Sequence, residues 1–294
     1  MKLLYRQKIF LALLEIFKNN LEKIDFVKLV FLYCQYQKKE FYSFFPYHYG
    51  CFSFDLYKDK RIFTECGILN ATDNFSLSKP LGMLYQLEEK DKYSLIEFSK
   101  KIGSLRGDAL IRKTYLEFPE YTKRSIIKER ILAPQEQEAL QELALFVDPN
   151  NAIYTIGYEG ISIDEYLRKL INNDISIIVD VRKNPKSMKF DFNSKALTNF
   201  LSKVNIEYVG IPDLGIPATM RADLNSFESY QALFDIYETK ILSKQTANVE
   251  KIANLVKSGQ RVALTCFEKN NLWCHRSRVA RKLNSDYNYE IVNL

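Results

Sequence analysis

The stretch "AIYTIGYEGISIDEYLRKLINNDISIIVDVR", residues 152–182, decides the fold. Ala152–Gly157 reads as a strand, Ser162–Asn172 as a helix, and Ile175–Arg182 as a strand of β-branched residues that looks buried on both faces. The same alternation continues. Ser194–Lys203 is expected to be a helix, Ile206–Val209 a short strand, and Phe227–Lys257 mostly helix in two pieces. Arg261–Phe267 then reads as a strand, Ser277–Leu283 as a helix and Glu290–Val292 as a last strand. Strands alternating with helices imply an α/β domain with a mainly parallel sheet flanked by helices on both faces.

This pattern begins at a seam. The turn cluster Asp148-Pro149-Asn150-Asn151 separates it from a first half that reads as mainly helical. Two domains, 1–149 and 150–294, are also what a length of 294 residues suggests. In the first half, helices are expected over roughly Lys2–Asn20, over Asp25–Gln37 with Asp25 as N-cap, and over Ser53–Glu65 with Gly67 just past its end. Followed by a short hairpin, helices of this length and spacing suggest a winged-helix-like module. The segment from Leu87 to Leu132 adds further helix.

Composition bounds the rest. Hydrophobic residues at 47% and charged residues at 27% describe an ordinary globular chain. The formal charge of +6 is a mild bias toward acidic partners. It divides evenly, with 19 basic and 16 acidic residues over 151–294 against 23 and 20 before them, so neither half is a basic module. Five cysteines without regular spacing, and an amphipathic start carrying Lys2, Arg6, Lys8 and Glu15, point to a cytoplasmic protein with reduced thiols. No apolar run reaches the length of a membrane span, so no membrane association is expected.

Ligands of an open parallel sheet bind beyond the carboxyl ends of its strands. There the sequence gathers Gly157, Tyr158, Glu159 and Gly160, then Asp180, Arg182, Lys183 and Ser187, then Asp213 and Gly215, and finally Cys266, Glu268, Cys274, His275, Arg276 and Ser277. Asp180 and Arg182 could hold an anion, the carboxylate orienting the guanidinium, or could be an ion pair closing the sheet. Arg276 and Ser277 at a helix start would make an anion pocket. His275 could serve as acid or base, and Cys274 or Cys266 as a nucleophilic thiol. The plainer alternative makes Cys274 a buried filler and His275 a hydrogen bonder at a helix start. A zinc site at Cys266, Cys274 and His275 is set aside, because adjacent Cys-His seldom serves one ion and there is no Cys-x-x-Cys. The ten positions from Cys266 to Arg276 are also too long for a phosphatase loop.

Lys100–Arg130 carries nine basic against four acidic residues, interleaved with Tyr115, Phe118 and Tyr121. This is either a phosphate-binding face or a solvated helical one. His48, in an aromatic cluster, is expected to be packed, and Trp273 to be core in preference to a base-stacking platform.

Four segments, "YTIGYEGISIDEYLRKL", "IIVDVRKNPKS", "IEYVGIPDLG" and "VALTCFEKNNLWCHRSRVARKL", resemble in order the signatures of DUF488, a bacterial and archaeal domain without a settled biochemical function. The resemblance covers about residues 152–292 and implies that the residues named above share one pocket. Tyr158-Glu159-Gly160 stands where many members have His-Ser, which puts in doubt any mechanism needing two imidazoles. The first half resembles the N-terminal region of longer members. In "PYHYGCFSFDLYKD" and "GIL" it is similar to the Panacea (SocA-like) antitoxin-type domain. The longer members resemble proteins from phage-defence and DNA-processing contexts.

The expectation is therefore a nucleic-acid- or nucleotide-directed enzyme, a hydrolase cleaving a phosphodiester or glycosidic bond. Asp180, Glu268 and His275 would be catalytic. Gly157, Tyr158, Arg182, Ser187, Arg276 and Ser277 would bind substrate or phosphate. No metal is expected, and the first half would contact nucleic acid or a protein partner. The alternative is a non-catalytic DNA-binding sensor that recognises a nucleotide or modified base.

Overall fold

The computed structural model describes residues 2–143, 151–221 and 224–294. The chain divides into two compact units, Met1–Phe146 and Val147–Leu294. The turn cluster Asp148-Pro149-Asn150 lies outside the described residues.

The first unit is helix-rich. It runs α1 (Tyr5–Ile16), β1 (Asn20–Leu21), α2 (Lys23–Gln37), β2 (Phe45–Tyr47), β3 (Gly50–Phe52), α3 (Phe54–Glu65), β4 (Phe75–Ser76), α4 (Glu89–Ile102), α5 (Gly107–Glu117), α6 (Lys128–Ile131) and α7 (Pro134–Leu143). Every residue of α2 from Asp25 to Cys34 is buried, so this helix is the axis around which the unit packs. Phe26 meets Phe10 edge-on at 4.7 Å and Phe75 at 4.4 Å, and Phe31 meets Tyr121 at 4.6 Å. Such ring pairs add to the burial of apolar area.

Three expectations for this unit change. Helix α2 starts two residues before Asp25, which is therefore in its first turn. The Asp25 carboxylate instead accepts the Gly107 backbone N–H at 2.7 Å and tethers the start of α5. The hairpin β2–β3 falls between α2 and α3 and does not follow the helices; among the described residues of this unit, the one strand after α3 is β4, paired with β1. His48 is exposed at the tip of that hairpin, stacked on Tyr47 at 4.1 Å. The hairpin turn carries it out of the aromatic core.

The basic stretch around α5 has its aromatic residues turned inward: Tyr115 and Tyr121 are buried, and Phe118 packs against the core. Arg112, Lys113 and Arg130 pair with Glu136, Glu117 and Asp108. That is the pattern of a solvated helical face, with no aromatic platform for bases.

The second unit holds β5 (Ala152–Gly157), α8 (Ile163–Asn172), β6 (Ile177–Asp180), α9 (Ser194–Lys203), β7 (Glu207–Gly210), α10 (Phe227–Lys240), α11 (Thr246–Lys257), β8 (Val262–Cys266), α12 (Arg276–Tyr287) and β9 (Glu290–Asn293). All five strands are parallel, in the order β7-β6-β8-β5-β9. Helix α8 begins where Ser162 Oγ accepts the Glu165 N–H at 3.1 Å. Its buried residues Ile163, Tyr166, Leu167, Leu170 and Ile171 follow the helical period and form one apolar stripe.

Alternate strand residues face opposite layers. Ile153, Ile177, Val179, Val262 and Leu264 pack with apolar residues of α10, α11 and α12. On the other face, Tyr166 of α8 reaches Thr265 Oγ1 at 2.9 Å. The connection from β5 crosses toward β6, whereas that from β8 crosses back toward β9. Neighbouring strands β5 and β8 therefore send their chains in opposite directions, and a crevice opens beyond their carboxyl ends. Among the described residues, no helix is long and apolar enough to cross a membrane.

Candidate functional site

Register sets the edge. Gly157 lies opposite Cys266, and Asp180 opposite Thr265, so the three central strands β6, β8 and β5 finish together. Two side-chain clusters form where the chain leaves them.

The first cluster is centred on Asp180. Val181 N still donates to Thr265 O at 3.3 Å, and Arg182 then folds back on the carboxylate. Arg182 Nε donates to Asp180 Oδ1 at 2.8 Å, and Nη2 to Oδ2 at 2.5 Å. Arg182 Nη1 donates to Tyr158 Oη at 2.5 Å and to Phe192 O at 3.0 Å. Tyr208 Oη donates to Asp180 Oδ2 at 2.7 Å. Asp180 is 1% exposed and Arg182 6%. Burial pulls the Arg182 pKa down, but hydrogen bonds and charge from Asp180 outweigh it and leave the guanidinium above its ordinary value. Every guanidinium nitrogen is thus engaged by protein, the geometry of an ion pair closing the sheet.

Tyr158 and Ser187 belong to the same knot. Tyr158 stacks on Phe192 at 4.3 Å, and its hydroxyl lies 3.4 Å from Ser187 Oγ. Ser187 Oγ also accepts the Lys189 N–H at 3.1 Å.

The second cluster is built on the loop from β8 to α12. A Cβ on Gly157 would meet the Glu268 carbonyl oxygen at 1.9 Å, so only glycine lets this loop lie across the end of β5. Gly215 has the same role against the Lys183 backbone, 2.0 Å from its hypothetical Cβ. Arg276, in the first turn of α12, is turned back over the loop. Its Nη1 donates to Glu268 O and its Nη2 to Lys269 O at 3.1 Å. Arg276 is 2% exposed, and its Nε is buried with no hydrogen-bond partner. Ser277 Oγ donates to Cys274 O at 2.8 Å. Both residues expected to bind an anion at the helix start therefore hold the loop.

Inside that loop four groups converge. Cys266 Sγ lies 3.3 Å from Glu268 Oε2 and 3.7 Å from His275 Nδ1. Suitable donor atoms of Cys266, Cys274 and His275 all lie within 4.8 Å of one another, and all three residues are buried. His275 Nε2 is 2.8 Å from Val181 O. A carbonyl only accepts, so Nε2 carries the hydrogen and Nδ1 faces the sulfur. Burial lowers the His275 pKa, yet Cys274, the Val181 carbonyl and Glu268 raise it above the ordinary value. Burial and the neighbouring Cys266 push the Cys274 thiol well up. Burial raises the Glu268 pKa, but Cys274, its own backbone N–H, His275 and Cys266 together bring it below the usual range. Glu268 is therefore a carboxylate at neutral pH.

This cluster opens into a cavity of about 340 Å³ lined by Ile216, Arg221, Leu224, Tyr230, Leu233, Phe234, Glu268, Trp273 and His275. Arg221 Nη1 stands 3.9 Å from Glu268 Oε1 and is 38% exposed. Trp273 is half-buried and forms a wall here, not core, meeting Tyr230 edge-on at 4.9 Å. A second, more open hollow of about 510 Å³ lies at the amino ends of β6 and β7, with Glu207 as its one ionisable lining residue.

Of the residues expected from sequence, Glu268 and His275 line the cavity, and Cys266 and Cys274 lie against His275. Asp180, Arg182, Tyr158 and Ser187 form the neighbouring knot, and Gly157, Arg276 and Ser277 hold the loop. Sequence reasoning missed Arg221, Tyr230 and Phe234. Their signal is the connection from β7 to α10, which leaves the same sheet edge and continues past Gly215 to these three residues.

Residues 162–283 match the family model of DUF488, a domain of unknown function. The match takes in Asp180, Arg182 and the whole stretch from Cys266 to Ser277. No curated protein and no solved structure matches the chain.

Proposed function

We propose that the second unit is a hydrolytic enzyme acting on a nucleotide or on nucleic acid, with the 340 Å³ cavity as its substrate site. One observation supports the reading above others. The cavity sets an ionised Glu268 and a cationic Arg221 against aromatic walls from Tyr230, Phe234 and Trp273. Aromatic faces accept a base, a guanidinium accepts phosphate, and a buried carboxylate can take a proton from water. Glu268 is the general base and Arg221 the phosphate contact. Asp180 and Arg182 hold the sheet edge and take no part in proton transfer. The bond cleaved is a phosphodiester or a glycosidic bond, and the first unit contacts the polymer or a protein partner.

The test is a cleavage assay of the full chain on DNA, RNA and free nucleotides, modified and unmodified. Glu268→Gln should lower kcat by roughly 10²–10⁴-fold while leaving binding in place. Arg221→Ala should raise KM more than it lowers kcat. Full activity in Glu268→Gln removes this mechanism. Salt-sensitive binding without turnover of any substrate favours the sensor alternative.

A further inference from the structure

We propose that Cys266, Cys274 and His275 bind a divalent metal ion of the zinc class, with Glu268 beside the ion on its cavity side. The site is the floor of the cavity described above, but metal uptake does not depend on what the cavity binds.

The donor set selects the ion. Two thiolates and an imidazole suit a borderline-soft cation and are poor ligands for magnesium or calcium. The spacing also fits. Tetrahedral zinc with Zn–S of ~2.3 Å and Zn–N of ~2.0 Å needs ligand atoms roughly 3.5 Å apart. Cys266 Sγ is 3.7 Å from His275 Nδ1 and 3.3 Å from Glu268 Oε2, and suitable atoms of the three proposed ligands lie within 4.8 Å of one another.

The surroundings are those of a metal-binding histidine. Nε2–H is donated to Val181 O at 2.8 Å, which fixes the tautomer and leaves the Nδ1 lone pair aimed at the sulfurs. The ligands sit on rigid supports. Cys266 ends β8, and Cys274 and His275 directly precede α12. The loop between them is pinned by Arg276 against Gly157.

Glu268 and His275 line the cavity while the cysteines lie behind them, so the fourth coordination position faces the cavity. Three protein ligands and one position open to water or substrate characterise a catalytic zinc site. Binding releases the thiol protons to solvent as the two thiolates coordinate. The plainer alternative, two cysteines as apolar filler, does not account for an imidazole and a carboxylate converging on the same buried point.

The test uses the full chain, reduced, stripped with chelator and titrated with Zn(II) or Co(II). About one equivalent should bind per chain. The Co(II) form should show intense tetrahedral d–d bands and a thiolate charge-transfer band. Cys266→Ser and Cys274→Ser should each weaken binding by at least ~100-fold and reduce the charge-transfer intensity. Cys66→Ser, which changes an exposed thiol, should bind as the parent does.

Should a ligand variant fail to fold, the unaltered chain still decides, because zinc must raise its Tm over the chelated form. Unchanged metal binding in the Cys266→Ser/Cys274→Ser double variant overturns the proposal. So does an unchanged Tm, or a Cys266–Cys274 disulfide that re-forms after reduction and excludes metal. Metal uptake without nucleotide cleavage upholds this site and ends the hydrolase reading. Cleavage by protein that takes up no metal does the reverse.

Discussion

Replacing Asp180 by Asn tests whether this carboxylate holds the sheet edge or performs chemistry. It accepts from Arg182 Nε, Arg182 Nη2, the Arg182 backbone N–H and Tyr208 Oη. Both ends of the pair are more than nine-tenths buried. An amide keeps the shape but removes the negative charge, and one of its two ends becomes a donor facing donors. Breaking one side of a buried ion pair costs about 3–5 kcal/mol. Taking the lower figure, because the amide oxygen still accepts, an unfolding m-value of ~2 kcal/mol/M moves the urea midpoint down by roughly 1.5 M.

The assay is urea unfolding followed through the fluorescence of Trp273, the single tryptophan, which reports on the second unit alone. Asp180→Asn combined with Arg182→Met should recover part of the loss, since the guanidinium is no longer left buried without its anion. A midpoint shift corresponding to less than ~1 kcal/mol would refute the structural role. A variant of parental stability without turnover would make Asp180 catalytic after all.

Gly157→Ala should cost about 2 kcal/mol, because the atom it meets is the Glu268 backbone and not a flexible side chain. A fall in Tm of roughly 6 °C is expected, and an unchanged Tm would mean the loop does not depend on this close approach. Glu268 has a folded-state pKa below its unfolded value, so its stabilisation is present above about pH 4.3 and is lost as pH falls through the folded pKa. Metal-free protein and Glu268→Gln should accordingly differ in unfolding free energy at pH 7 and converge toward pH 3, and a gap independent of pH contradicts the ionised carboxylate. In metal-free protein at neutral pH, iodoacetamide should label exposed Cys66 quickly and leave buried Cys274 and Cys34 unmodified, the Cys34 thiol being pushed up to about 11 by burial. Peptide mass spectrometry reads the sites, and rapid labelling of Cys274 would contradict its burial.

The second unit was legible because its three central strands, β5, β6 and β8, are buried along their whole length. Ala152–Gly157 and Ser194–Lys203 fall where the sequence puts them, and the expected strand over Ile175–Arg182 shortens to Ile177–Asp180, its carboxyl end stopping where Arg182 folds back onto Asp180. Convergence at one sheet edge was also legible, since it follows from topology. What sequence could not tell was which polar groups would satisfy one another. Arg182 and Arg276 look like anion ligands until their donors are traced to Asp180, Tyr158, Phe192 and the loop carbonyls. Cys266, Cys274 and His275 were legible as a zinc candidate but set aside for want of a Cys-x-x-Cys, whereas the longer loop folds back and brings them within 4.8 Å of one another. In the first unit, Asp25 and His48 were misjudged for a related reason. Their positions depend on where α2 starts and how a hairpin tip is aimed, both fixed by packing against distant residues.

The cavity divides between two segments of chain. Its floor comes from the short run between Cys266 and His275, and most of its walls come from Ile216 to Phe234. If the cavity is the proposed substrate site, the choice of substrate and the chemistry rest on different residues. Exchanging residues in the wall segment could retune which molecule is admitted without disturbing the groups that act on it. A library confined to Ile216, Leu224, Tyr230, Leu233 and Phe234, which leaves Arg221 and its contact with Glu268 in place, is where altered selectivity should be sought first.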